Sequence, residues 1–186
     1  MKIGILGGTF NPPHMGHLVL AQEVLDRLKL DKIFFIPTNI PPHKDNEGIE
    51  AKHRLAMVKL AIAQNQSFEL IDAEIKRGGV SYTVDTLRQL KEEFGSDEFY
   101  LIVGSDLAND FSSWKEPLAL KKLAKIVVAS RDKYPLKKED DFIILDIIQI
   151  NISSSQIRDL VKKGHCIRYL VPQTVASYIE ELKLYR

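Results

Sequence analysis

Short apolar runs alternate with longer amphipathic stretches along this chain. Lys2–Leu6, Lys32–Pro37 (KIFFIP), Phe68–Ile71, Phe99–Val103 (FYLIV) and Lys125–Ala129 (KIVVA) are rich in Ile, Val and Phe and are bounded by Gly, Pro or polar residues. Their length and branching predict buried strands. Phe142–Leu145 and Ile147–Ile150 predict one or two more. Between the runs the apolar positions change to helical spacing. Leu18, Ala21, Leu25 and Leu28 mark one face of a first helix. Leu55, Val58, Ala61 and Ile62 mark a second, from about Ala51 to Gln64, and Val84, Leu87 and Leu90 a third, Thr83–Phe94. Ser154–Lys163 and Pro172–Leu184 predict the last helices, the latter packing through Val175, Tyr178, Ile179 and Leu182. Thr38–Gly48 and Lys133–Asp141 predict polar loops, Lys76–Ser81 (with Gly78 and Gly79) a turn, and Gly104–Trp114 a loop beyond a strand end.

Strands apolar on both faces, alternating with helices, predict an α/β fold with a doubly wound, mostly parallel sheet and helices on both faces. No repeat, low-complexity tract or long linker divides the chain, so residues 1–186 are expected to form a single domain. In such sheets ligands bind beyond the carboxyl ends of the strands, where strand order reverses.

Composition narrows the classes. The chain has 186 residues, 45% of them hydrophobic, enough for a substantial core. Its 26 basic and 25 acidic residues leave a formal net charge of +1, which argues against a broad nucleic-acid or membrane surface. Cys166 is the only cysteine, so no internal disulfide forms, and no signal-peptide pattern precedes the strand Lys2–Leu6. A cytoplasmic location is the expectation. No apolar stretch reaches the roughly 18 residues that span a bilayer.

The chemistry concentrates in IGILGGTFNPPHMGH, Ile3 to His17. A strand runs into Gly7 and Gly8, expected to let the backbone turn sharply and approach a ligand, then through Thr9 and Phe10 to His14 and His17 at a helix start. Two imidazoles on one helical turn, beside unpaired backbone N–H groups and the positive end of a helix dipole, suit phosphate. The segment lacks G-x-G-x-x-G, and no G-x-x-x-x-G-K-[ST] loop occurs in the chain. NISSSQIR, Asn151–Arg158, predicts a second anion site. Ser154 and Arg158 share a helix face, and serines at 153–155 offer both caps and phosphate ligands, with the choice among Ser153, Ser154 and Ser155 open. Lys44, in PPHK, leaves the end of the second strand as a mobile positive charge. Ser81 or Thr83 is expected to cap its helix. Trp114, the only tryptophan, reads either as core or as a stacking surface. His165–Cys166 falls short of a metal pair, and His53 reads as a surface residue.

These motifs resemble the H-x-G-H nucleotidyltransferases, and SYTVDTL (Ser81–Leu87) with GSDLANDFSSW (Gly104–Trp114) resembles their nicotinate-nucleotide adenylyltransferase branch over almost the whole chain. The resemblance implies a Rossmann-like nucleotidylyl transferase fold and transfer of AMP from ATP to nicotinate mononucleotide, giving nicotinate adenine dinucleotide and pyrophosphate. It implies His14, His17 and Arg158 as catalytic residues. ATP contacts are implied for Gly7, Gly8, Thr9, Phe10, His14, His17, Lys44, Gly104, Asp106, Arg131, Ser154 and Arg158. Acceptor contacts are implied for Lys44, Tyr82, Thr83 and Trp114, with His43 beside Lys44, while Ser130 and Arg131 are implied at the edge of the adenine pocket. Mg2+ is implied as carried by the ATP phosphates, with no protein metal site. The implied partners are the two nucleotides, with a homo-oligomer left open. Sister enzymes acting on nicotinamide mononucleotide or phosphopantetheine share the phosphate motifs, and a catalytically silent nucleotide-binding module is the reading from outside the enzymes.

Overall fold

The computed structural model describes residues 1–42, 49–130, 136 and 141–186. Its strands are β1 (Lys2–Gly8), β2 (Lys32–Pro37), β3 (Phe68–Leu70), β4 (Glu98–Gly104), β5 (Lys125–Ser130) and β6 (Ile143–Asp146). They form one sheet in the order β3-β2-β1-β4-β5-β6, and every neighbouring pair is parallel. The helices are α1 (Met15–Leu28), α2 (Ala51–Ile62), α3 (Ala73–Arg77), α4 (Thr83–Phe94), α5 (Ser105–Asn109), α6 (Pro117–Leu123), α7 (Ser154–Lys162) and α8 (Gln173–Glu181). The order reverses between β1 and β4, which is the switch point of a doubly wound sheet and the place for a ligand crevice.

Strand periodicity builds both layers. Ile3, Ile5, Phe34, Ile36, Phe99, Leu101, Val103, Ile126 and Val128 face one side, where α4 and α6 bury Val84, Leu87, Leu90 and Leu120. Leu6, Ile33, Phe35, Tyr100, Ile102, Val127 and Ala129 face the other, against Leu20, Ala21, Val24 and Leu25 of α1 and Val58 and Ile62 of α2. A third cluster joins Met57 of α2 to Ile157 of α7 and to Val175 and Ile179 of α8. It seats the C-terminal helices beside the carboxyl end of β1.

Several expectations are corrected. The second helix stops at Ile62, and its buried face is Arg54, Met57, Val58 and Ile62, with Leu55 only half-buried. Lys76 and Arg77 close the short helix α3, so the turn begins only at Gly78 and Gly79, both at positive φ. Gly104–Trp114 is not a loop: α5 and a 3-10 turn, Phe111–Ser113, fill it. Helix α6 starts with Pro117 in its first turn, the position where a missing N–H costs nothing. Ile147–Ile150 forms no strand, and α8 ends at Glu181. Neither Ser81 nor Thr83 caps α4; the cap position is Tyr82, without a side-chain cap bond.

Candidate active site

Gly7 and Gly8 do not make the turn expected of them. Both finish β1, and the backbone reverses at Phe10, which takes a left-handed φ of 50°. Its ring is 2% exposed and anchored in the core against Phe35. A Cβ at Gly7 would meet nothing within 4 Å, so this strand end stays open for a ligand's close approach. The Asn11–Pro12 peptide is cis.

His14 occupies the cap position of α1, and its backbone N–H donates to His17 Nδ1 at 3.1 Å. A nitrogen that accepts from a backbone N–H carries no proton, so the neutral imidazole of His17 bears its proton on Nε2. The two imidazoles stack with centroids 3.7 Å apart, and Phe10 meets His17 edge-on at 5.0 Å. A Cβ at Gly16 would come within 3.1 Å of His14 Nδ1, so any larger residue there would press that ring aside by a few tenths of an ångström. The helix start is less open than the sequence implies, because the Met15 N–H is bonded to the Leu170 carbonyl at 2.9 Å.

Helix α7 brings the second anion segment onto the same turn. Ser153 is its cap, in a reciprocal box with Gln156, so this hydroxyl is engaged in the helix start. Ser154 Oγ donates to the Pro12 carbonyl at 2.8 Å, and Arg158 donates to the Asn11 carbonyl at 2.9 Å. Ser155 is exposed. Gly7, Gly8, Thr9, Phe10, His14, His17, Ser154 and Arg158 therefore lie around one turn at the carboxyl end of β1. Gly104 ends the neighbouring strand β4, and Asp106 lies in the first turn of α5 directly beyond it.

Tyr82 and Thr83 begin α4, and Trp114 follows the 3-10 turn. Lys115 joins these segments, with its ammonium 4.5 Å from the Tyr82 ring centroid and 2.9 Å from an Asp85 carboxylate oxygen. Trp114 is half-buried, tilted against Phe111 at 5.5 Å and packed on the core, so the core and platform readings each describe part of it. Lys44 and Arg131, with His43, lie outside the described residues.

Four residues escaped the sequence reading. Arg54, 3% exposed, donates to the carbonyls of Thr9 (3.1 Å), Thr38 (2.6 Å) and Asn39 (3.2 Å). Burial pulls its pKa below the usual guanidinium value, and Tyr185 opposes that shift. A charged residue on the apolar stripe of α2 was the available signal. Asn11 is 5% exposed and accepts from the Tyr185 hydroxyl at 2.7 Å; burial pushes the tyrosine pKa upward. The C-terminal segment, read as packing alone, thus reaches the site, and nothing in its sequence signals this. His53, read as surface, bonds the Tyr178 hydroxyl at 2.9 Å and ties α2 to α8.

Glu74, the fourth, lies beneath the acceptor segment, 5% exposed, accepting from Thr86 Oγ1 at 2.7 Å. Burial raises its pKa, against the lowering effects of Thr86, Ser81 and Arg77. A carboxyl that holds its proton more tightly when folded makes stability fall as pH rises from its unfolded value, ordinarily 4.5, through its folded value. Glu74→Gln removes this titration. Melting temperatures taken between about pH 4 and pH 8 should give a flatter profile for the variant, its relative stability greatest at the alkaline end. Identical profiles for the two proteins would refute this assignment.

The parallel β3-β2-β1-β4-β5-β6 sheet, with paired histidines at its switch point, defines the class. The cytidylyltransferase-like family model matches residues 5–160, and the chain is a nucleotidyltransferase. Two relatives named probable nicotinate-nucleotide adenylyltransferase align end to end. That of Shouchella clausii is 43% identical, covering 99% of this chain and 96% of its own length. That of Dictyoglomus thermophilum is 45% identical, covering 100% of both. The chain belongs to the nicotinate-nucleotide adenylyltransferase family. The fold also matches a Plasmodium falciparum nicotinic acid mononucleotide adenylyltransferase solved with NaAD, with a TM-score of 0.82, 24% identity and coverage of 99% of this chain and 97% of that one.

Proposed function

We propose that the whole chain, residues 1–186, acts as one nucleotidyltransferase unit that transfers AMP from ATP to nicotinate mononucleotide. The observation that carries this reading is the gathering of His14, His17, Ser154 and Arg158 around the Asn11–Pro12 turn, with Tyr82, Thr83 and Trp114 on the acceptor side. The 5′-phosphate of the mononucleotide attacks the α-phosphorus of ATP in line. A P–O bond forms, the α–β P–O bond breaks, and pyrophosphate leaves with that electron pair. The attacking phosphate is already anionic, so no general base is required. His17 Nε2–H donates to the phosphoryl oxygens as charge moves toward the leaving group, with His14 and Arg158 beside it. Ser154 holds the triphosphate side of the turn. By the family resemblance, Lys44 contacts both nucleotides, and Gly104, Asp106 and Arg131 border the adenosine. Trp114 stacks on the pyridine ring, and backbone N–H groups near Tyr82 and Thr83 receive its carboxylate.

Among the described residues no three His, Cys, Asp or Glu side chains gather to hold a metal. Magnesium would arrive on the phosphate oxygens of ATP, as part of the substrate. No helix of the described residues is long and apolar enough to cross a membrane. A single, exposed Cys166 supports a cytoplasmic location.

Pyrophosphate release measured with ATP and each of three acceptors tests the reading. The expected result is turnover with nicotinate mononucleotide well above that with nicotinamide mononucleotide or phosphopantetheine. Preference for either of the others would reassign the acceptor, and ATP binding without pyrophosphate would leave only a nucleotide-binding module.

A further inference from the structure

One buried cation touches both halves of the site without belonging to either. The phosphate turn leaves β1 at Thr9; the acceptor segment hangs from the end of β2. Arg54 is the side chain between them, with Nη1 donating to Thr9 and Thr38 and Nη2 to Asn39. From there the contact continues. The Asn39 backbone N–H donates to Ser81 Oγ at 2.8 Å, its side-chain amide donates to the Gly79 carbonyl at 2.9 Å, and Ile40 bridges Val80. Ser81 directly precedes Tyr82 and Thr83. The Thr38 N–H in turn donates to the Gly8 carbonyl at 2.9 Å, so the strand ends are also in register.

No carboxylate pairs with Arg54 among the described residues. A guanidinium fork is suited to several carbonyls at fixed angles in a way that a lysine ammonium is not. A buried cation whose hydrogen-bond partners among the described residues are loop carbonyls is costly to desolvate, which makes it a weak device for stability alone. What it does is fix the distance between two loops.

We infer that Arg54 is a positioning residue that sets the ATP half-site and the acceptor half-site in line with each other. This rests on the adenylyltransferase reading above. In-line displacement depends on that alignment, and displacing bound groups by about 1 Å costs roughly 10²-fold in rate. Each half-site keeps its own contacts, so each nucleotide should still bind alone.

The test uses Arg54→Lys, which keeps the charge but loses the fork, and Ser81→Ala, which removes one of the two Asn39 bonds to the acceptor segment without touching the guanidinium. ATP and nicotinate mononucleotide are titrated separately by calorimetry, giving affinity and the fraction of binding-competent protein. Turnover is then measured per competent site. The expected result is dissociation constants within about threefold of the wild type and kcat lower by about tenfold or more in Arg54→Lys, with a smaller loss of the same kind in Ser81→Ala. A merely structural role would lower melting temperature and competent fraction and leave kcat per site unchanged. That outcome overturns the inference. So does loss of one nucleotide's binding in step with kcat, which would assign Arg54 to a single half-site. If Arg54→Lys does not fold, Ser81→Ala alone decides by the same two criteria. A wild-type chain that releases no pyrophosphate defeats the functional reading, and this inference with it; an active wild type matched by folded variants defeats this inference alone.

Discussion

His17→Ala should lower kcat by about 10²-fold or more while leaving a folded protein, by analogy with removal of one oxyanion-hole donor. The geometry gives the reason. His14 N–H fixes Nδ1 as an acceptor, stacking on His14 and the edge contact with Phe10 fix the ring plane, and together they present Nε2–H as a preorganised donor. Preorganisation matters because no reorientation is needed as charge develops. The imidazole is only half-buried, and its loss returns one backbone N–H to other partners, a stability change on the order of 1 kcal/mol. Steady-state kinetics and thermal melting on the same preparation provide the check. Near-normal turnover would remove the phosphate site from this turn, and unfolding would show that the histidine pair serves α1 rather than chemistry.

The sheet was the most legible part of the molecule, because buried parallel strands carry a signal that depends on few neighbours. KIFFIP is β2 to the residue, and Thr83–Phe94 is α4 with Val84, Leu87 and Leu90 fully buried as its spacing requires. The α5 and α6 segments were harder. Five and seven residues are too short for helical periodicity to show, and Glu116, ahead of α6, adopts a left-handed φ of 54° that no local pattern announces. In the site, the residues that carry motifs were legible by type and spacing. The residues that hold the motifs in place were not. Arg54 stands 45 residues from Thr9, and Tyr185 stands 174 residues from Asn11. Such bonds are made by the completed fold, and a single charged or aromatic residue on an otherwise apolar face gives no hint of its partner. Gly7 and Gly8 show the converse case. Their composition predicted a turn, but sheet pairing with Ile36 and Pro37 kept both residues in the strand.

Trp114→Ala should raise KM for nicotinate mononucleotide by roughly five- to a hundredfold and leave ATP affinity little changed. That range corresponds to roughly 1–3 kcal/mol for stacking a base on an aromatic ring. The indole is positioned for it, being only half-buried, backed by Phe111 and the core on one side, and followed by Lys115, which reaches across to Tyr82 at the other acceptor segment. The same packing means that truncation also removes contacts with Phe111, so melting temperature should fall somewhat, by less than the full cost of truncating a wholly buried aromatic, about 3–5 kcal/mol. Trp114→Phe separates the two contributions. It restores most of the packing and a smaller stacking surface, so it should recover stability nearly completely and acceptor KM only in part. The indole also supplies a direct readout, since its fluorescence should respond to nicotinate mononucleotide added without ATP. Parallel losses for both substrates, tracking melting temperature across the two variants, would make Trp114 a core residue and leave the acceptor's ring to be held by some other surface.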